Sequence, residues 1–276
     1  MALPSLRRAA VAGSWYPSDA RALAAEVDRY LDAAGSSTPG ELLAIVAPHA
    51  GLLYSGPIAA HAYRQLAGRE VEVAVLVGPS HYVGFDGVAI YEHGAFETPF
   101  GPVPIAENCA SVIALASSRV REHPTAHVRE HSLEMQLPFL KRVLPDAAIV
   151  PLVMGRQSRD TVYALADALI TGLKGRKAVL IASTDLSHYQ HAATAAKWDG
   201  KVIGYVERFD PGGLMSTLEA FPDHACGGGP TVSVMLAAKA LGARDARVLK
   251  YGDSGDVSGD KDAVVGYMAA AFGSFA

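Results

Sequence analysis

Short apolar runs that lack polar–apolar alternation are the feature that most constrains the fold of this chain. Such runs are typical of strands buried on both faces of a mainly parallel sheet. Segments of helical pattern lie between them, so helices are expected to flank the sheet. The predicted strands cover residues 41–47, 71–77, 148–153, 178–183, 247–251 and 263–270. We therefore expect an α/β fold with a central, mostly parallel or mixed sheet.

Several helix ends are recognisable in the sequence. Ser18 and Asp19 can cap a helix that ends at Gly35. Pro230 can occupy a first helical position, where its missing N–H costs nothing. Further helices are predicted over residues 56–68, 129–144, 158–173 and 230–242.

Residues 88–105 interrupt the alternation of strands and helices. Two short β stretches around a TPFG turn at residues 98–101 predict a hairpin attached to the main sheet. The composition does not shift along the chain, and residues 35–40 fit a loop within a domain. We expect a single domain over residues 1–276.

Charge and composition exclude some classes of function. The net charge is −4 and the sequence has no block of Lys and Arg, so a nucleic-acid partner is not expected. No apolar run has the length of a signal peptide or a membrane span, which predicts no membrane partner. The two cysteines provide no disulfide framework, and we expect a cytoplasmic protein.

Two histidines follow successive predicted strands at the point where each strand ends. His49 comes after Pro48, and His81 closely follows Pro79. In open parallel sheets, ligands bind outside the carboxyl ends of the strands. Imidazole is a common ligand of zinc, iron and copper. The two side chains are either metal ligands or loop histidines that cover strand ends.

A third strand end carries Asp185 and His188 in the sequence STDLSHY. This spacing can place an acid/base histidine beside an orienting carboxylate, or put both residues around a metal ion. The alternative is that Asp185 and Ser183 cap the next helix.

Cys226 precedes three glycines, at 227–229, and a helix predicted to begin at Pro230 or Thr231. A helix N-terminus lowers the pKa of a thiol and favours the thiolate, which both attacks carbon and binds metal. The glycines let backbone approach closely, and the loop could instead cradle a phosphate. Buried filler, nucleophile, metal ligand and phosphate loop all remain open at this point.

The other candidate residues have weaker signals. His127 and His131 are four residues apart and fit one face of an amphipathic helix, from which Glu130 and His131 can reach the rim of a site. His224 can assist the thiol or face water. Cys109 fits the apolar face of a helix and is interpreted as structural.

A series of motifs occurs in one order along the chain: AGSWYP, APHAGLLYSG, VGPSHY with ETPFGPVPI after it, EHSLEMQLPFL, STDLSHY, ACGGGP and YGDSGDVSGD. Each motif alone is modest, but five or more in one order are specific, and together they cover nearly the whole chain. The series resembles the Memo family, whose members occur in bacteria, archaea and eukaryotes.

The resemblance implies a fold similar to that of class III extradiol (LigB-type) dioxygenases, in which two histidines and a glutamate hold non-haem Fe(II). By this resemblance His49 and His81 are the first two ligands, and Cys226 takes the carboxylate position. Asp185 and His188 match family residues near the site, and His188 resembles the acid/base histidine of the dioxygenases. Fe(II) is the expected ion, with copper second and zinc less favoured. The thiolate disfavours ordinary catechol cleavage, because it changes the charge donated to the metal and is itself oxidisable.

The resemblance also implies partners. Eukaryotic members are described as binding phosphotyrosine peptides and as affecting cell motility, and the prokaryotic family is associated with a radical-SAM protein and an AMMECR-like protein. The first hypothesis is a metalloprotein that carries out redox or oxygen-dependent chemistry on a small organic substrate. His188 would be its acid/base residue and Asp185 the orienting residue. The predicted pocket residues are Trp15, Tyr54, Glu130 and His131.

Two further hypotheses come from other classes of function. A non-catalytic module would bind an anionic or aromatic ligand, or a peptide, with Trp15 and Tyr16 at the rim of the pocket. A hydrolase would use Cys226 as its nucleophile, with His188 or His224 as the base.

Overall fold

A mixed sheet of nine strands forms the centre of the computed structural model, which describes residues 6–276. The predicted α/β architecture, with helices flanking the sheet, is confirmed. The described strands are β1 (Leu6–Arg7), β2 (Gly40–Ala47), β3 (Val73–Pro79), β4 (Val88–Ile90), β5 (Ala95–Phe96), β6 (Val103–Pro104), β7 (Val120–Glu122), β8 (Ala148–Met154), β9 (Ala178–Ser183), β10 (His188–Gln190), β11 (Asp245–Asp253) and β12 (Val264–Phe275).

The four strands β2, β9, β3 and β8 run parallel at the middle of the sheet, in that order. All seven residues of β3 are buried, as expected for a strand covered on both faces. Antiparallel strands complete the sheet on both sides, with β12 beside β2 and β4 beside β8. The carboxyl ends of the parallel strands therefore meet at one edge.

Helices connect and cover the strands. The α-helices of residues 6–276 are α1 (Ala20–Ala33), α2 (Leu52–Arg64), α3 (Glu107–Ala116), α4 (Pro124–His127), α5 (Leu137–Val143), α6 (Arg159–Leu173), α7 (Ala192–Glu207), α8 (Pro211–Ala220), α9 (Gly228–Ala240) and α10 (Gly255–Ser258). Three of them, α1, α2 and α5, pack together, and α2 also packs on β12 and β11, whereas α9 packs on β9, β3 and β2.

Helix caps follow the sequence signals at two places. The Asp19 side chain accepts the Ala22 N–H at the start of α1, and the Ser158 side chain accepts the Thr161 N–H at the start of α6. Cys109 is buried within α3, as predicted for a structural residue. Within residues 6–276, no helix is both long and apolar enough to cross a bilayer.

Three details differ from the sequence-based expectation. The hairpin of β5 and β6 joins β1 in a separate three-stranded sheet, and only β4 of the 88–105 segment lies in the main sheet. α2 begins at Leu52 rather than at residue 56, and it includes Pro57. Residues 129–133 are not helical. The helical structure of this segment begins with a 3₁₀ turn, Glu134–Gln136, which leads into α5. His127 and His131 therefore do not share a helix face.

Candidate metal centre

Three polar side chains lie at equal distance from the ends of three parallel strands. His49, His81 and Asp185 each stand two residues beyond the last residue of β2, β3 and β9. β2 and β9 are in register, with Ala47 opposite Ser183. The sheet thus brings His49 and Asp185 side by side, and the Asp185 carboxylate accepts the backbone N–H of His49 at 2.7 Å.

Cys226 reaches the same place from the loop before α9. Its backbone N–H donates to the Asp185 carbonyl at 3.2 Å, and its Sγ accepts the Asp185 N–H at 3.3 Å. The sulfur is 3.3 Å from His49 Nε2. Ligand atoms of His49, His81 and Cys226 all lie within 4.8 Å of one another. These three residues form a group that could hold a metal ion, and we call it the His/His/Cys group.

Steric contacts explain why glycine follows Cys226 at positions 227 and 229. A Cβ at Gly227 would overlap the Ser183 carbonyl oxygen and would lie 2.8 Å from Thr184 Cβ. At Gly229 it would lie 2.9 Å from both Gln157 Cβ and Met154 Sδ. Small residues here let the loop approach the end of β9 closely enough for Cys226 to reach His49.

The same loop does not present a phosphate cradle. Gly227 N–H donates to Thr184 Oγ1, Gly228 N–H to the Ala225 carbonyl, and Gly229 N–H to Gln157 Oε1 at 2.6 Å. Because these three donors are used within the protein, they are not available to a phosphate group. α9 also begins at Gly228, two residues before the predicted start at Pro230.

Glu130 fixes both the backbone and the ring of His81 by hydrogen bonds. Its carboxylate accepts the backbone N–H of His81 at 2.7 Å, and its other oxygen lies 2.8 Å from His81 Nδ1. The Ser132 N–H donates to the same carboxylate. Burial alone would raise the pKa of Glu130, but the hydrogen bonds from His81 and Ser132 outweigh it and lower the pKa to about 2. This arrangement leaves His81 Nε2 free to face the group.

A second set of potential ligands consists of His81, Glu130 and His131. An ion held there by His81 Nδ1 would have to displace the hydrogen bond between this nitrogen and Glu130. The His/His/Cys group leaves that bond intact. Its donor atoms are therefore the better candidate for a metal centre.

Aromatic side chains lie beside the two histidines of the His/His/Cys group. The His131 ring stacks on His81 with centroids 4.5 Å apart, and the Trp15 ring lies 4.3 Å from His131. Burial, followed by the nearby His49 and His81, lowers the pKa of His131 to about 4. Tyr54 lies in the first turn of α2 and is partly exposed. Its place in a substrate pocket stays a prediction.

Tyr16 does not line the site as predicted. It is buried, and its hydroxyl donates to Glu134 Oε1 at 2.7 Å. Glu134 also accepts the backbone N–H groups of Ala10 and Val11 and pairs with Arg7, which is buried as well. The segment before α1 is thus bound to the 3₁₀ turn Glu134–Gln136.

A cavity of about 440 Å³ opens beside the group. His81, Cys226 and His188 all line it, together with Trp198 and Pro222. His188 begins β10, whose residues pair with β12, and Tyr189 next to it has a positive φ of 58°. His188 therefore shares one chamber with two of the three potential ligands.

Asp185 and Ser183 do not cap a helix. The next helix, α7, begins at Ala192 and is capped by His191, whose Nδ1 accepts the Ala193 N–H. Asp185 is buried instead beneath His49 and Cys226, and burial raises the pKa of its carboxyl above the ordinary value.

Burial also raises the pKa of the Cys226 thiol, and the neighbouring Asp185 carboxylate adds to this effect. The expected lowering by the start of α9 is therefore wrong for the metal-free protein. His224 is buried against Trp198, with ring centroids 4.9 Å apart, and neither of its ring nitrogens has a hydrogen-bond partner among residues 6–276. The imidazole beside the sulfur is that of His49 and not that of His224.

The residues that hold His49 and Cys226 in place by hydrogen bonds were not predicted from the sequence. Ser183 Oγ lies 2.8 Å from His49 Nδ1, and Gln136 Nε2 donates to Ser183 Oγ at 2.7 Å. Gln157 Nε2 donates to the Cys226 carbonyl at 2.6 Å. The available signal for Gln136 was its place as a polar residue between the apolar residues Met135 and Leu137 of the EHSLEMQLPFL motif.

The model of the Memo-like protein family matches residues 7–271 of the chain. This chain belongs to the Memo family. MEMO1 family proteins of Methanopyrus kandleri and Pyrobaculum aerophilum are 38% and 39% identical to it, over 96% and 97% of this chain and 98% and 99% of theirs. One from Thermotoga petrophila is 36% identical over 96% of this chain and 98% of its own length.

A solved structure supports the fold of this Memo-family chain. An uncharacterized protein of Escherichia coli K12 superposes with a TM-score of 0.54, covering 82% of this chain and 99% of the other. The two are 13% identical, so the likeness concerns the fold alone. The stretch matched by the Memo family model contains all three members of the His/His/Cys group.

Proposed function

We propose that this Memo-family protein is a metalloprotein with one ion held by His49, His81 and Cys226. The observation that carries the proposal is the convergence of three ligand atoms within 4.8 Å, with the remaining ring nitrogen of each histidine held by a buried partner. Two imidazoles and a thiolate suit iron, copper or zinc. Fe(II) is our first choice of ion, copper the second, and zinc is less favoured.

Ion binding and the protonation of Cys226 are coupled in this proposal. The thiolate is the form that binds metal, whereas burial favours the neutral thiol when no ion is present. Binding therefore releases a proton, and the affinity increases with pH. The Asp185 N–H, 3.3 Å from the sulfur, stabilises the thiolate once it has formed.

The proposed reaction is redox or oxygen-dependent chemistry on a small organic substrate in the 440 Å³ cavity. A bound Fe(II) or copper ion would supply a Lewis acid and an electron donor. His188 lines the cavity and is proposed to move protons to and from the substrate at its imidazole. Asp185 is proposed to orient His188. Its carboxylate also fixes the backbone of His49, whose N–H it accepts. Trp198 and Pro222 form part of the wall of this cavity.

The two alternatives receive less support from the geometry. A cysteine hydrolase needs a base beside the thiol, and the nearest imidazole is the deeply buried His49, whose pKa is well below its usual range because of burial. A peptide-binding module gains no support from Tyr16, which is buried. A link to radical-SAM and AMMECR-like proteins and a cytoplasmic location remain predictions.

Metal analysis of protein purified without oxygen tests the proposal. We expect about one iron per chain in the wild type and loss of the metal in Cys226→Ser. Cys109→Ser is the matched control, because Cys109 is buried in α3, where its thiol donates to the Gly172 carbonyl and takes no part in the His/His/Cys group. Wild-type protein without stoichiometric metal, or full retention by Cys226→Ser, would overturn the metal site.

Oxygen uptake tests the reaction class separately. The wild-type protein reconstituted with Fe(II) should consume oxygen only when an organic substrate is present, and His188→Ala should retain the iron while the uptake falls by about 100-fold or more. Equal uptake by the two proteins would remove His188 from the proposed chemistry.

A further inference from the structure

We propose that Ser183 and Gln136 are positioning residues that fix His49 as the tautomer protonated at Nδ1. This tautomer leaves Nε2 with a free lone pair directed at Cys226 Sγ, 3.3 Å away, where the ion would bind. The inference rests on the proposed metal function, and it assigns to two buried polar side chains a role that the ligand set alone does not explain.

A serine hydroxyl cannot select a histidine tautomer by itself, because it can donate or accept. Ser183 Oγ lies 2.8 Å from His49 Nδ1 and 2.6 Å from the Ser132 carbonyl oxygen. A carbonyl oxygen can only accept, so the single hydroxyl proton of Ser183 is used in the bond to Ser132. Ser183 therefore faces His49 with a lone pair.

Gln136 completes the assignment. Its amide nitrogen lies 3.1 Å from the Pro48 carbonyl and 2.7 Å from Ser183 Oγ. The Pro48 carbonyl requires a donor, and the Tyr63 hydroxyl, 2.8 Å from Gln136 Oε1, bonds the other end of the amide. The NH₂ group therefore points at Ser183 and occupies one of its lone pairs. The remaining lone pair accepts the Nδ1–H of His49.

The hydrogen bonds that run from Tyr63 through Gln136 and Ser183 to His49, which we call the relay, are strengthened by burial. The side chains of Tyr63, Gln136, Ser183 and Ser132 are fully buried, so bulk water does not compete for their hydrogen bonds. The relay is also specific to His49. His81 donates to the carboxylate of Glu130, and an ionised carboxylate can only accept, so one residue is sufficient there.

Nitrogen-15 NMR of metal-free, histidine-labelled protein measures the tautomer directly, with His49→Ala to assign the signal. We expect the wild type to show His49 protonated at Nδ1. In Ser183→Ala the population should shift toward the Nε2–H form, which imidazole favours in water, and the affinity for Zn²⁺, a redox-silent probe, should fall by about 10- to 100-fold.

Ser233→Ala is the matched control. Ser233 is equally buried and its hydroxyl also donates to a backbone carbonyl, that of Val162, but it lies in α9 outside the relay. This variant should keep the wild-type His49 tautomer and Zn²⁺ affinity, even if its thermal stability falls.

A wild-type His49 protonated at Nε2 in the metal-free protein would overturn the inference, as would a Ser183→Ala protein with unchanged tautomer and affinity. The wild-type measurement decides the question even when Ser183→Ala does not fold. Failure of the proposed function has a different signature, in which His49 shows the Nδ1–H form and the wild type binds neither Zn²⁺ nor Fe(II).

Discussion

Glu130 binds both N–H groups of His81, the backbone one at 2.7 Å and the ring Nδ1 at 2.8 Å. A single carboxylate therefore sets the position of the His81 loop and the orientation of its imidazole. In Glu130→Gln, the amide NH₂ would face one of these donors. We expect the affinity for Zn²⁺ or Fe(II) to fall by about 10- to 100-fold, as measured by competition with a chelator.

The control for this variant is Glu122→Gln, which makes the same change at an exposed residue of β7 and should bind the ion as the wild type does. Unchanged affinity in Glu130→Gln would mean that the carboxylate does not support an ion-binding imidazole.

The buried ion pair of Arg7 and Glu134 is predicted to contribute strongly to stability. Arg7→Met would leave the buried Glu134 carboxylate with its neutral hydrogen-bond donors but without an opposite charge, which costs about 3–5 kcal/mol in the free energy of unfolding. Arg8→Met removes a neighbouring but exposed pair with Glu97 and should cost about 1 kcal/mol or less. Urea denaturation of both variants measures the difference, and equal losses would contradict it.

The close approach of Gly227 to the end of β9 predicts a steric effect on the site. In Gly227→Ala the new methyl group meets the Ser183 carbonyl and Thr184, so we expect a loss of about 1–3 kcal/mol and weaker metal binding. Gly200→Ala adds a methyl to open space within α7 and should stabilise the protein by about 0.5–1 kcal/mol. Calorimetry and metal titration test both variants, and full metal affinity in Gly227→Ala would refute the steric argument.

The thiol of Cys226 is predicted to react slowly in the metal-free protein. Because burial raises its pKa, the thiolate fraction is small at neutral pH and increases as the pH rises toward that pKa. Iodoacetamide should therefore label Cys226 much more slowly at pH 7 than a free cysteine in a peptide, and faster at pH 9, as followed by mass spectrometry. Rapid, stoichiometric labelling at pH 7 would support the nucleophile hypothesis instead.

The positions of His49, His81 and Cys226 in the sequence made them candidates for a site, and the resemblance to the Memo family implied that they act together as metal ligands. His49 and His81 follow apolar runs that are typical of strands buried on both faces, and Cys226 precedes glycines and a predicted helix start. Parallel strands bring their carboxyl ends to one edge, so sequence position translates into spatial proximity.

The supporting residues could not be predicted in the same way. Ser183 and Gln136 are separated by 47 residues, and either would fit an ordinary place in the core. The helix predicted over residues 129–144 was wrong for residues 129–133, for a related reason. The Glu130 side chain takes the N–H groups of His81 and Ser132, while the Glu130 carbonyl accepts from Arg7, and these distant partners outweigh local helical propensity.

The separation of His49 and Cys226 by 177 residues has a consequence for the order in which the proposed metal site is assembled. During synthesis the two histidine-bearing strand ends leave the ribosome long before the cysteine does. A nascent chain that ends before α9 has two imidazoles and no sulfur at the site. An ion bound as proposed would therefore be taken up only after the segment that carries Cys226 has been synthesised, which makes metal loading a late step of maturation.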